Sequence, residues 1–235
     1  MTVGPVPLSG GRTAAITTVL FDLDGVLIDS IAVMRSAYGD AVAGIPTAPP
    51  FEAYVRLLGR ALPDIAARLG LPDAFCHRYR QARDVRSVEI TAQPGVAAML
   101  TALRERGTAI GVVTGKEGQI ARAVLARLDL LPLIDAVLGA DEVSAAKPDP
   151  DHLRALAALL PSHPRPSHQM LLVGDAEVDM ACARAAGCLT GFADWGYGDV
   201  CDLSAEPDHV LQTAADVVDL VNSADQREEG GPTRC

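Results

Sequence analysis

Apolar residues along this chain follow two alternating rhythms. Short unbroken runs, Ile16 to Phe21, Ala109 to Val113, Ala136 to Gly139, Met170 to Val173 and Cys188 to Phe192, each end at polar or acidic positions. Runs of this length predict strands buried on both faces. Between them the spacing changes to three and four. Val96, Met99, Leu100 and Leu103 follow Pro94, a residue suited to a first helical turn, and Gly107 closes the segment. Ile120, Val124, Leu125 and Leu128 repeat the pattern, as do Leu153, Leu156 and Leu160, and Met180 through Ala186 before Gly187. Strands alternating with helices of this length predict an α/β fold, a Rossmann-like parallel sheet with helices on both faces.

One connection breaks the rhythm. About sixty residues separate Asp29 from Thr91, where a crossover between parallel strands needs only about a dozen. Four helices are predicted there, Ala32–Ala43, Phe51–Leu58, Leu62–Leu69 and Ala74–Val88, with breakers at Gly44 to Pro50, Gly59 and Gly70 to Pro72. The chain thus divides into an α/β core, 13–28 and 92–222, and an inserted four-helix cap, 29–91. Ligands of open parallel sheets bind outside the carboxyl ends of the strands, so an insert leaving that edge is placed to act as a lid. Residues 1–12 and 223–235 carry few apolar positions and are expected to be disordered tails.

Composition narrows the function classes. The 235 residues are 49% hydrophobic and carry a formal charge of −10. Without a Lys/Arg cluster, that charge repels a phosphate backbone, so no nucleic-acid partner is expected. The five cysteines, Cys76, Cys182, Cys188, Cys201 and Cys235, show neither CxxC pairs nor even spacing, which predicts free thiols rather than a zinc site or disulfide framework. The N-terminus lacks a charged and apolar leader, and no window reaches membrane-spanning length. A cytoplasmic protein with no membrane partner is expected. His77, His152, His163, His168 and His209 lack ligand spacing and are assigned surface or helix-end roles. Neither monomer nor homodimer is favoured by any apolar seam.

The chemistry gathers at strand ends. DLDGVL, Asp22 to Leu27, puts Asp22 and Asp24 on one face where the first strand stops, and Gly25 allows a sharp turn. An Asp-rich turn is the plain alternative. Thr114 ends AIGVVT before Gly115 and Lys116, a hydroxyl beside backbone donors at a helix start that suits a phosphate, or a turn or N-cap residue. Lys147 stands in AAKPDP, stiffened by Pro148 and Pro150. In VGDAEVD, Asp175 closes a strand and Asp179 lies four residues on, on the same side; N-capping by Asp175 would explain only one of the two. Four carboxylates within a few ångströms raise one another's pKa and call for a cation, and an all-oxygen set suits Mg2+.

The order Asp-x-Asp, Thr, Lys, Asp resembles the four motifs of the haloacid dehalogenase superfamily, in its phosphatase branch with a helical cap after the first strand. The resemblance spans roughly residues 14–222. Phosphoglycolate phosphatases and beta-phosphoglucomutases share the arrangement; phosphatases of aminohydroxybenzoate formation are similar to a lesser degree. Receiver domains use comparable residues in a different chain order. The resemblance implies that Asp22 is the nucleophile and forms an aspartyl phosphate, and that Asp24 is the general acid and base. It implies that Thr114 and the Gly115 region hold the phosphoryl oxygens, and that Lys147 neutralises charge. Mg2+ would be held by Asp22, the backbone carbonyl of Asp24, and Asp175, with Asp179 acting directly or through water. Ala176 and the Gly115–Lys116 pair depart from the residues common at those places. Arg60, at a break between cap helices, is the cap residue placed to reach the substrate, a solvated helix-end arginine being the plain alternative; the Trp195 to Tyr197 segment would wall the entrance or serve packing. The implied activity is hydrolysis of a small phosphorylated metabolite, phosphoglycolate or a sugar phosphate. A phosphomutase or a non-catalytic scaffold are the alternatives.

Overall fold

In the computed structural model, which describes residues 15–161 and 166–229, the first strand, β1 (Thr18–Phe21), runs into a two-residue strand, β2 (Ile28–Asp29), which pairs antiparallel with β3 (Thr91–Ala92). The long insert lies between those two short strands. Its helices are α1 (Ile31–Val42), α2 (Phe51–Val55), α3 (Leu62–Arg68) and α4 (Ala74–Arg86). The rest alternates: α5 (Val96–Glu105), β4 (Ala109–Thr114), α6 (Gly118–Arg127), β5 (Ala136–Gly139), α7 (Pro150–Leu159), β6 (Met170–Gly174), α8 (Glu177–Ala186), β7 (Leu189–Ala193), β8 (His209–Leu211) and α9 (Ala214–Glu229).

The main sheet is parallel throughout, in the order β5-β4-β1-β6-β7-β8. Strand β1 sits between β4 and β6, with Phe21 level with both Val112 and Val173. Successive residues point to opposite faces, and two apolar clusters follow from that. Val19, Phe21, Ile110, Val112, Leu171 and Val173 face one cluster with Met99, Leu103 and Val217; Leu20, Val113 and Leu172 face the other with Leu153, Leu156 and Cys182. The central strands β1, β4 and β6 are therefore apolar on both sides, which is why their runs show no alternation. Gly111 lies where a Cβ would come within 3.0 Å of Leu20 and Leu156 side-chain atoms, so the sheet and α7 approach most closely there.

The insert has its own apolar cluster, built on Met34, Tyr38, Phe51, Tyr54, Leu62, Ile65, Phe75 and Tyr79. Tyr38 meets the rings of Phe51, Tyr54 and Phe75 at centroid separations of 5.3–5.8 Å, and the Tyr54 and Tyr79 hydroxyls are 2.8 Å apart. Most of the chain's few aromatics are spent here, which lets four short helices hold together.

Several boundaries differ from expectation. Helix α2 stops at Val55 rather than Leu58, because the chain turns through Leu58 and enters Gly59 at φ +85°. The helix expected to reach Val88 gives way to a 3-10 turn over Ser87–Glu89. Strands β2, β3 and β8 are too short for periodicity to reveal. Helix α9 continues to Glu229, through residues 223–229 that were expected to be tail; Val217, Val221 and Ala224 bury its inner face. The expected N-terminal tail 1–12 and the last six positions lie outside the described residues. Among the described residues no helix is long and apolar enough to cross a membrane. Cys76, Cys182, Cys188 and Cys201 are free thiols, and Cys235 lies outside the described part.

Candidate active site

The carboxyl ends of the central strands converge. Asp22 follows the last residue of β1, and its amide donates to Val173 O (2.9 Å), tying it to β6. Thr114 is the last residue of β4, Asp175 follows the last of β6, Asp179 stands in the first turn of α8, and Lys147 lies in the loop between β5 and α7. All of them, with Asp24, are buried.

Lys147 is the hub. Its Nζ lies 2.9 Å from Asp22 Oδ1 and 2.6 Å from Asp179 Oδ1, and it donates to Val113 O at 3.1 Å. Burial opposes its charge, but Asp179 and Asp22 outweigh burial and raise its pKa. The loop is fixed from behind, where Lys147 N donates to His152 Nδ1 at 3.2 Å. His152 stands in the first turn of α7 and is wholly buried, the helix-end rather than the surface role. Burial, helped by the Lys147 charge, pushes its imidazole down to about 4, which leaves a neutral ring able to accept that bond.

The acids are not equivalent. Burial pushes the Asp22 carboxyl up to about 7, with Lys147 pulling it down and Asp179 pushing it up. Asp175 is raised well above the usual carboxylate range by burial, then by Asp22 and Asp179. Asp179 Oδ2 accepts from Ala176 N at 3.2 Å, so Asp179, not Asp175, satisfies the exposed amide at the start of α8. Asp175 Oδ2 accepts instead from Tyr197 N at 2.6 Å. One carboxylate oxygen each from Asp22, Asp175 and Asp179 lie within 4.8 Å of one another. These residues fit a hard divalent cation: three buried carboxylates supply oxygen only and carry more negative charge than the one lysine beside them offsets.

Asp24 faces away from that cluster. Ser30 Oγ donates to its Oδ1 at 2.6 Å, and Lys116 Nζ lies 3.0 Å from its Oδ2. Thr114 Oγ1 accepts from Lys116 N at 3.2 Å, which keeps its own hydroxyl proton free to donate. Sequence reasoning took Lys116 only as a departure in a motif and gave Ser30 no role. A cation two residues past Thr114 was visible as a signal; a serine six residues past Asp24 carried none.

The insert closes over this edge. Gly115 lies so close to the Gly59–Arg60 turn that a Cβ there would come 2.2 Å from Arg60 O, and a Cβ on Gly59 would come 2.5 Å from Val178 Cγ1. Arg60 therefore brings its backbone to the site, while its guanidinium pairs with Asp64 at 3.2 Å. From α4, Arg80 and Arg83 reach the core and hold Glu117 at 2.6 and 2.7 Å. A cavity of about 30 Å³ remains, bounded by Asp22, Asp24, Thr114, Lys116, Tyr54 and Arg83. That is room for little more than a water. Trp195 and Tyr197 do reach the site's margin: Trp195 Nε1 donates to Val26 O, and Tyr197 borders a larger groove of about 480 Å³ beside Asp175.

Comparison with known proteins agrees with this arrangement. Residues 19–193 match the haloacid dehalogenase-like hydrolase family. A plasmid-encoded phosphoglycolate phosphatase of Cupriavidus necator is 33% identical over 204 residues, covering 81% of this chain and 87% of that protein. A phosphoglycolate phosphatase of Cereibacter sphaeroides is 36% identical over 191 residues, covering 76% and 85%. The crystal structure of a hydrolase from Pseudomonas syringae superposes with a TM-score of 0.77 at 25% identity, covering 88% and 98%.

Proposed function

The chain belongs to the haloacid dehalogenase-like hydrolase family and is a phosphatase, and we propose that it hydrolyses a small phosphorylated metabolite, phosphoglycolate or a sugar phosphate, through an aspartyl phosphate on Asp22 with Mg2+ bound. The observation that carries this reading is Lys147, buried between Asp22 and Asp179 with Asp175 beside them and Thr114 on the neighbouring strand.

Asp22 attacks phosphorus, the ester P–O bond breaks, and Asp24 gives a proton to the leaving oxygen. A water then attacks phosphorus, Asp24 takes its proton, and the bond to Asp22 breaks, releasing inorganic phosphate. Lys147 holds charge at the attacked and attacking oxygens, and Thr114 with the amides of Gly115 and Lys116 receives the others. Asp22, the Asp24 carbonyl and Asp175 would hold Mg2+, with Asp179 contributing directly or through water. The ion would neutralise charge on the phosphoryl oxygens.

Asp24 meets the leaving group through Oδ2, where Lys116 yields to it, while Ser30 keeps hold of Oδ1. The leaving group must lie on the Lys116 side, against Tyr54, Tyr79 and Arg83, so the insert selects it. The narrow cavity means that substrate enters with the insert swung away, pivoting where it joins the core beside β2 and β3.

Purified protein with Mg2+ should release phosphate from p-nitrophenyl phosphate, and a panel of phosphoglycolate, sugar phosphates and amino-sugar phosphates should rank the natural class. Asp22→Asn should abolish turnover while staying folded. Full activity in that variant would overturn the assignment of the nucleophile.

A further inference from the structure

Helix α1 begins the insert, and Ser30 is its N-cap residue. A serine there ordinarily turns its hydroxyl onto amides of the first turn, a bond worth about 1 kcal/mol. Ser30 makes no such bond; its hydroxyl goes to Asp24 Oδ1 at 2.6 Å. The amides at the helix start still need an acceptor. The Tyr197 hydroxyl, from the loop after β7, takes the two amides just before that turn instead: Ser30 N donates to it at 2.7 Å and Ile31 N at 3.1 Å, the latter shared with Asp29 Oδ1 at 3.3 Å. The phenol proton is directed at Asp29 Oδ1, 3.1 Å away.

The other end of the same residue grips the opposite side of the site. Tyr197 N donates to Asp175 Oδ2 at 2.6 Å. The loop can come that close only because its neighbours lack side chains: a Cβ on Gly196 would stand 2.3 Å from Asp175 Cβ, and one on Gly198 would stand 1.9 Å from Asp175 O. Gly25 completes the contact, since a Cβ there would come 2.2 Å from Asp175 Oδ2 and 3.0 Å from the Tyr197 ring. A single residue thus spans from Asp175 to the point where the insert leaves the core.

We propose that Tyr197 is a positioning residue for phosphoryl transfer: its hydroxyl pins the Ser30 and Ile31 amides, which fixes Ser30 where its own hydroxyl holds Asp24 in line with the leaving oxygen, while its amide orients Asp175. The inference rests on the phosphatase reading and adds a residue to it. The two functions are separable, because Tyr197→Phe deletes the hydroxyl and keeps both the ring and the amide. Without the phenol, the Ser30 backbone is no longer pinned and its hydroxyl no longer holds Asp24 in place.

The test is a double-mutant cycle of Tyr197→Phe and Ser30→Ala, with kcat, KM, Mg2+ affinity by calorimetry and amide hydrogen exchange. Each single variant should lose about tenfold in kcat with KM little changed, and the double variant should lose no more than the worse single, since both act through one bond to Asp24. Mg2+ affinity in Tyr197→Phe should stay within twofold of wild type, and exchange at the Ser30 and Ile31 amides should rise. An unchanged kcat in Tyr197→Phe, or losses that multiply in the double variant, would overturn the proposal. A tenfold loss of Mg2+ affinity in Tyr197→Phe would do the same, by placing the effect on Asp175. A wild type that releases no phosphate overturns the phosphatase reading and this one together, whereas an active wild type beside an unchanged Tyr197→Phe overturns this one alone.

Discussion

Lys147 is where stability and chemistry meet in one side chain. It is enclosed with Asp22, Asp179 and Asp175, and removing it leaves like charges buried without a partner. Breaking a buried pair from one side costs about 3–5 kcal/mol. Lys147→Met should therefore destabilise the Mg2+-free protein by about that amount in urea denaturation. Asp22→Asn should do the reverse. Because the Asp22 carboxyl is pushed up to about 7 by burial, with Asp179 adding to the push, its charged form is a net cost to the fold at pH 8, and the neutral amide removes that cost. The Mg2+-free Asp22→Asn variant should melt at or above wild type at pH 8. A variant that melts well below wild type would show that Asp22 stabilises the site rather than straining it.

At the scale of elements, the insert is held to the core by contacts whose failure can be read separately. Glu117, at the start of α6, accepts from Arg80 and Arg83 of α4. Burial alone would raise its pKa, but the Arg80 bond and the Arg83 charge outweigh burial and lower it to about 2. A lowered carboxyl contributes stability above its unfolded value, near 4.5, and loses it as pH falls through about 2. The stability gap between wild type and Glu117→Gln should stay constant from pH 7 to 5 and shrink below about 4.5; a gap that widens on acidification would contradict the pairing. The second contact is the Gly59–Arg60 turn over Gly115. Gly115→Ala puts a methyl where Arg60 O lies, so the turn must lift from Thr114. We expect kcat/KM to fall by about 100-fold, in line with a displacement of about 1 Å at a reacting site, and the melting temperature to fall with it, because the atoms the methyl meets are backbone.

Across the whole molecule, what was legible in the sequence was what repeats locally. Uninterrupted apolar runs marked five of the strands because each is buried on both faces, and acids or polar residues at their ends marked the site because parallel strands all finish at one edge. Asp22, Asp24, Thr114, Lys147, Asp175 and Asp179 come together in the structure for that reason. What was not legible depends on contacts between distant parts of the chain. Tyr197 and Ser30 meet across 167 residues, and nothing in either neighbourhood encodes the other. The burial of His152 against Lys147 was not legible, because a lone histidine at a helix start has no pattern to show it. Helical backbone runs on past Asn222 to Glu229, beyond the point where apolar spacing fades and a tail was expected. The ribbon β2/β3 is two residues wide, beneath any periodic signal, yet it is the base on which the insert is mounted.

The account stands on Asp22 carrying the phosphoryl group, and acid quenching during turnover tests that most directly. Protein mixed with Mg2+ and a readily cleaved phosphate ester, stopped in acid within milliseconds and digested, should show the mass of one phosphoryl group on the peptide bearing Asp22, localised to that residue by fragmentation. The adduct should disappear when Mg2+ is withheld and in Asp22→Asn. Steady phosphate release with no such adduct at any quench time, and undiminished in Asp22→Asn, would contradict the account.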